Sequence, residues 1–97
     1  MRRRFLITYD ISDDKRRNNV FKALRDRGDH LQYSVFICEL NDREYAGLKG
    51  ELQQMVHKKE DQVLLLDLGL ADNTFEIGQG LDCVGHGYTP PQRVLVI

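Results

Sequence analysis

Apolar positions along the chain switch between two periods, and the switches mark out its elements. Arg4 to Ile11 is rich in aromatic and β-branched side chains and nearly continuous in apolar character, which predicts a central strand covered on at least one face. The strand stops at Asp10 to Asp14, where Ser12 is the best N-cap and Asp13 and Asp14 put carboxylates at the positive end of a helix. That helix is expected from Asp13 to about Arg27, with Val20, Phe21, Leu24 and the stems of Arg17 and Lys22 as its apolar stripe and Gly28 as a left-handed cap. Leu31, Tyr33, Val35 and Ile37 then alternate with Gln32, Ser34, Phe36 and Cys38, the period of extended chain. Asn41 or Asp42 caps a second helix bearing Tyr45, Leu48, Leu52, Met55 and Val56, its end marked by His57, Lys58 and Lys59. Gly47 and Gly50 weaken that helix by up to about 1 kcal/mol each relative to Ala. Gln62 to Leu68 reads as a buried strand.

After Gly69 the character changes. Five of the eight glycines and both prolines lie between Gly69 and Pro91, interrupted only by a candidate short strand at Thr74 to Ile77, so this stretch reads as an irregular arm. Arg93 to Ile97 closes the chain as an apolar run that needs a pairing partner, because an exposed edge of that composition aggregates. The order strand, helix, extended segment, helix, strand fits an α+β, ferredoxin-like βαββαβ sandwich, provided Asp29 to Leu40 supplies two strands. Periodicity alone gives that segment as one. A sheet covered by helices on one face leaves the other open, and in so small a chain the open face is a natural homodimer interface. The chain reads as one domain, 1–97, with 70–97 as an arm ending in an extra C-terminal strand at that interface.

Composition narrows the field less than pattern does. With 41% hydrophobic and 30% charged residues the chain has the balance of a globular protein, which excludes neither an enzyme nor a binding module. A net charge of −1 argues against a generic nucleic-acid coat protein, yet the charge is uneven. Residues 1–30 hold nine Lys/Arg against five Asp, whereas residues 31–97 hold five basic against ten acidic, so one end is suited to face phosphates. No window approaches the roughly 20 apolar residues of a membrane span, and no secretory pattern is present at the start, so a cytoplasmic protein without a membrane partner is expected. Cys38 and Cys83 form no CxxC pair and read as two buried thiols rather than as a disulfide or metal pair.

Tyr9-Asp10-Ile11, then Asp13-Asp14-Lys15-Arg16-Arg17, Val20, Leu24 and Gly28, then Gln32-Tyr33-Ser34-Val35-Phe36 form an ordered set. In all of those places the chain resembles the CRISPR-associated protein two family, most tightly over residues 5–40. The resemblance implies a ferredoxin-like homodimer whose second strand breaks near Ser34 and whose C-terminal strand crosses to the partner's sheet. It implies a role in CRISPR adaptation, the acquisition of spacers, with integrase dimers as partners. It also implies a metal-dependent endonuclease acting on RNA or DNA, with Asp10 as the catalytic magnesium ligand, Arg17 at a position linked to activity, and Tyr9 and Phe36 near the site.

The residues themselves are compatible with that work. A carboxylate at the end of a buried strand has a rigid base, and Mg²⁺ prefers hard oxygen ligands; an Asp at a strand-to-helix junction also serves as a turn or capping residue. One Asp does not hold a catalytic metal tightly, so Asp10 of both protomers is expected to face across the twofold axis, where a cation relieves their repulsion. Hydrolysis would then use metal-activated water, and no His or Lys stands out as a general base. Arg16 and Arg17 are candidates to clamp the phosphate backbone or else form a solvated basic face, and Arg2, Arg3 and Arg4 either extend the same stripe or decorate an edge strand. Tyr9 and Phe36 suit a core better than a base-stacking platform. Ser34 lacks the companions of a nucleophile and reads as the hinge between short strands. His30, His57 and His86 read as surface residues. Many members of the family carry an acidic residue after Ser-Val-Phe; here Ile37 and Cys38 stand before Glu39. A non-catalytic scaffold that holds DNA and bridges integrase dimers is the competing reading. A small-ligand sensor leaves the Arg pair unexplained, and no RNA-recognition aromatic motif is present.

Overall fold

The computed structural model describes residues 1–71 and 82–86. Its elements run β1 (Arg3–Asp10), α1 (Asp14–Arg25), β2 (Gly28–Gln32), β3 (Val35–Leu40), α2 (Asp42–Met55) and β4 (Gln62–Leu70). They form an antiparallel sheet in the order β2-β3-β1-β4, which places the apolar β1 in the interior between β3 and β4. Phe5, Ile7 and Tyr9 of β1 and Phe36, Cys38 and Leu40 of β3 share one face and pack against Val20 and Leu24 of α1 and Leu48 and Leu52 of α2. The architecture is the expected α+β, ferredoxin-like sandwich. Asn41 caps α2 through a reciprocal box, its side chain accepting from the Glu44 amide at 2.8 Å while Glu44 accepts from the Asn41 amide at 3.0 Å.

The segment that periodicity alone gave as one strand supplies the two strands the ferredoxin-like order requires, a hairpin of β2 and β3 turning at Tyr33 and Ser34. The helix cap is Asp13 and not Ser12, because Asp13 has the extended backbone of a cap and its carboxylate accepts from the Arg16 amide at 2.9 Å. α1 ends at Arg25 with a right-handed cap at Asp26, so Gly28 is no left-handed cap. It opens β2, where a Cβ would lie 2.4 Å from Cys38 Sγ and 2.4 Å from the Ile37 carbonyl oxygen. Close approach of two strands is what requires glycine there. Ala23, not the stem of Lys22, joins Val20 and Leu24 in the stripe, and the cations after α2 lie beyond its cap, Val56.

β4 is not a buried strand in the single chain. Val63 and Leu65 lean on the core, but Leu64 and Leu66 are 54% and 56% exposed, and Leu68 and Leu70 are half-exposed too. Register explains this, since Leu64 opposes Thr8 and Leu66 opposes Leu6, on the face away from the helices. β4 also runs on to Leu70, the residue expected to begin the arm, and carries a bulge where Gly69 adopts a φ of +103°. Cys38 is fully buried, but Cys83 is exposed, and both are free thiols. The expected strand at Thr74 to Ile77 and the terminal strand Arg93 to Ile97 lie outside the described residues. No helix among the described residues is long and apolar enough to cross a membrane.

Candidate functional site

Asp10 is the last residue of the interior strand, opposite Gln62 of β4, and its side chain is exposed. Leu6 and Thr8 precede it on the open face of the sheet, with Val35 and Ile37 of β3 and Leu64 and Leu66 of β4 beside them. The carboxylate thus stands at one end of an apolar platform. Tyr9 points the other way and is 7% exposed. Its hydroxyl donates to the Tyr33 carbonyl at 3.2 Å and its amide to the Ser34 carbonyl at 3.1 Å, which ties the β2–β3 turn to the residue before Asp10. Burial, reinforced by Tyr33 and opposed by Arg17, pushes the Tyr9 phenol above its usual pKa, so at neutral pH it is a donor and not a base. Phe36 is fully buried and stacks on Tyr9 with ring centroids 6.4 Å apart. His30 is exposed but stacks on Phe36, while His57 and His86 are exposed.

The two arginines of α1 diverge. Arg17 turns back toward Asp10, donating to the Ile11 carbonyl at 3.1 Å and pairing with Asp14, a carboxylate 86% exposed. Asp14, first by its hydrogen bond, holds the Arg17 guanidinium above its ordinary pKa, with smaller support from Tyr33 and Tyr9. Arg16 reaches in the other direction, to the turn between α2 and β4. Its Nε donates to Asp61 at 2.7 Å, one terminal nitrogen reaches the other Asp61 oxygen at 3.2 Å, and the same nitrogen meets Glu60 at 3.2 Å. The Asp61 side chain has no exposed surface, and it also accepts from the His57 amide at 2.8 Å. The Arg16 hydrogen bonds, followed by that amide, hold the Asp61 carboxyl below the usual carboxylate range. Sequence reasoning overlooked Asp61; the only signal was an acidic pair, Glu60-Asp61, between a helix end and a strand.

The amino-terminal arginines lie at the opposite end of β1. Arg3 lies seven residue steps along the strand from Asp10, about 23 Å. Arg2 pairs with Glu44 at 2.8 Å, Arg3 with Asp67 at 2.8 Å and Arg4 with Glu39 at 2.9 Å, so they brace the sheet and do not extend the stripe of α1. As a metal ligand, Asp10 fits in kind: a hard, exposed oxygen donor on a rigid base. In number it is one, because no three His, Cys, Asp or Glu side chains come together among the described residues.

Comparison with known proteins agrees with this geometry. Residues 1–74 match the family model described as CRISPR associated protein Cas2. A protein of Thermodesulfovibrio yellowstonii named CRISPR-associated endoribonuclease Cas2 2 is 41% identical over 68 residues, covering 70% of this chain and 75% of that protein. The Geobacter sulfurreducens protein named CRISPR-associated endoribonuclease Cas2 is 32% identical over 93 residues, 96% of this chain and 95% of the relative. A solved structure described as cas2 superposes with a TM-score of 0.74 at 25% identity, covering 98% of this chain and all of that one. The Streptococcus pyogenes Cas2 structure at pH 6.5 gives 0.69 at 26% identity, over 84% and 99% of the two chains. The family model covering residues 1–74 and the relatives' similarity over most of both chains lead to one conclusion: this chain belongs to the CRISPR associated protein Cas2 family.

Proposed function

We propose that the chain is the small subunit of CRISPR adaptation and, as a homodimer, a Mg²⁺-dependent endonuclease on RNA or DNA. One observation carries this reading: Asp10 is exposed at the rim of an apolar sheet face that the other described residues leave open. Leu64 and Leu66 are too exposed for a lone strand, and a second copy docked on that face buries them. The same docking brings a second Asp10 toward the first, supplying the ligand that one chain lacks. The two carboxylates repel, and a divalent cation held by them would relieve that repulsion. The cation supplies Lewis-acid polarisation of the phosphoryl oxygen. Arg17 receives the phosphate backbone by exchanging its exposed partner Asp14 for a phosphate oxygen. Tyr9 keeps the Tyr33–Ser34 turn in place. The names of the relatives, CRISPR-associated endoribonucleases, support cleavage as the activity.

A scaffold that holds DNA and bridges integrase dimers is the second reading, favoured by the absence of a three-ligand cluster among the described residues of one chain. The two separate on one assay. Purified protein and an Asp10→Asn variant are incubated with single- and double-stranded RNA and DNA, with Mg²⁺ or with chelator. Cleavage that needs both Mg²⁺ and Asp10 supports the enzyme; equal cleavage by the two proteins leaves the scaffold.

A further inference from the structure

Arg16 and Arg17 are adjacent and chemically identical, yet their partners differ in the one property that decides whether an arginine can be recruited by a phosphate. Arg17 pairs with Asp14, whose side chain is 86% exposed, so letting go costs little because water takes over both charges. Arg16 pairs with Asp61, whose side chain is fully shielded. Releasing it would break two charge-assisted hydrogen bonds to one guanidinium, at 2.7 and 3.2 Å, and leave the carboxylate with the His57 amide alone among its protein partners. The turn that carries Asp61 is itself closed, since the His57 carbonyl accepts from the Glu60 amide at 3.2 Å and from the Asp61 amide at 2.9 Å. The Lys59 amide in turn donates to His57 Nδ1 at 3.2 Å. A tight turn gripping two nitrogens of one guanidinium is a fixed joint.

What the joint holds is the neighbourhood of Asp10. Asp61 immediately precedes Gln62, the β4 partner of Asp10. Arg16 sits in the first turn of α1, and its amide is also capped by Asp13, at the end of the loop that follows Asp10. The link therefore closes a ring from Asp10 through Ile11–Asp13, Arg16 and Asp61 to Gln62 and back across the strand pair.

We propose that Arg16 and Asp61 form a clasp that fixes the loop after Asp10 and so positions its carboxylate, and that Arg16 takes no phosphate itself. The part concerning Asp10 rests on the function proposed above; the assignment of Arg16 away from phosphate does not. Phosphate contact within the pair then belongs to Arg17.

The test uses the full chain with Arg16→Ala, Arg16→Lys, Asp61→Asn, Asp61→Ala and Arg17→Ala variants. Binding to a fluorescent oligonucleotide is read by anisotropy across a salt series in chelator. Arg17→Ala should flatten the slope of log affinity against log salt by about 0.7 to 0.9 for each Arg17 of the homodimer that meets a phosphate, whereas the Arg16 and Asp61 variants should keep the wild-type slope. Amide hydrogen exchange over residues 10–16 should quicken at least tenfold in Arg16→Ala and in Asp61→Asn alike, Arg16→Lys restoring part of the protection. With Mg²⁺, the same variants should raise the concentration for half-maximal cleavage several-fold, and Arg16→Ala with Asp61→Ala combined should be no worse than either alone. A slope flattened by Arg16→Ala but not by Asp61→Asn would make Arg16 a phosphate ligand and overturn the proposal; so would unchanged exchange in both. Should Asp61→Ala fail to fold, the isosteric Asn and the Arg16→Lys variant still decide. If cleavage proves independent of Asp10, the reading of the site fails, while slope and exchange still judge the clasp.

Discussion

Gly28→Ala and Gly47→Ala are the same chemical change, and the structure gives them opposite signs. At Gly28 the new methyl would lie 2.4 Å from both Cys38 Sγ and the Ile37 oxygen, and 3.1 Å from Cys38 Cα. Non-bonded heavy atoms are comfortable at about 3.5–4.0 Å, so about 1 Å of retreat is needed on two sides. Neither side yields easily: Cys38 is fully buried, and β3 is tied to β1 by its register from Arg3–Leu40 to Thr8–Val35. The edge strand β2 must move outward instead, loosening the Gly28–Cys38 and Asp29–Ile37 pairs. Overpacking costs about 1–3 kcal/mol, and with backbone among the clashing atoms the upper half, about 2–3 kcal/mol, is expected. For a domain of this size that lowers Tm by roughly 10 to 20 °C. At Gly47, on α2, nothing lies within 4 Å of the added atom. Helix propensity alone acts there, raising stability by about 0.5–1 kcal/mol. Thermal unfolding by circular dichroism at one fixed protein concentration measures both, because a dimer's midpoint shifts with concentration. A Gly28→Ala midpoint within about 2 °C of wild type would refute the close-approach reasoning.

Cys38 and Cys83 should differ in reactivity: burial, with Asp29 adding and Arg27 opposing, pushes the Cys38 thiol up to about 11. A thiol-specific dye at pH 8 should titrate the exposed Cys83 rapidly and Cys38 only on unfolding; two equally fast thiols would contradict the burial. Acid should destabilise the fold through Asp61 and Asp67, the latter held low by Arg3 and then by the Gly69 amide. Folded values below the unfolded ones mean that this stabilisation is complete above about pH 4 and is lost as pH falls through the depressed values. Urea midpoints measured downward from pH 6 should drop below that point, and less so in Asp61→Asn, which has no charge to lose. Leu66→Asp on the open face should turn a dimer into monomer in sedimentation velocity while leaving the helical circular dichroism intact; an undisturbed dimer would move the interface elsewhere.

Particular residues show what could be read in advance. β1 and α2 were legible because apolar content and 3.6-residue spacing report burial directly, and the place of Asp10 at the end of β1 because a strand end is local information, whereas its proposed role came from the family resemblance. Gly28 was misassigned because a left-handed cap and a close strand approach both call for glycine, and only the register with Cys38 tells them apart. The leucines of β4 read as a buried strand, whereas the described residues leave one of its faces exposed. The residue pattern by itself did not separate Arg16 from Arg17, because neighbours on a helix differ by about 100° in direction, which decides their partners but leaves no trace in composition. Asp61 was invisible for the same reason: its importance comes from a partner 45 positions away.

Mixed dimers test most directly whether two copies of Asp10 share one site. Wild-type and Asp10→Asn chains, unfolded together and refolded at equal amounts, pair at random, and cleavage is measured per total dimer against each pure protein. If both carboxylates are required, activity falls to about one quarter of wild type, the share of wild-type homodimers. If each Asp10 acts alone, activity stays at about one half, and the shared site is wrong.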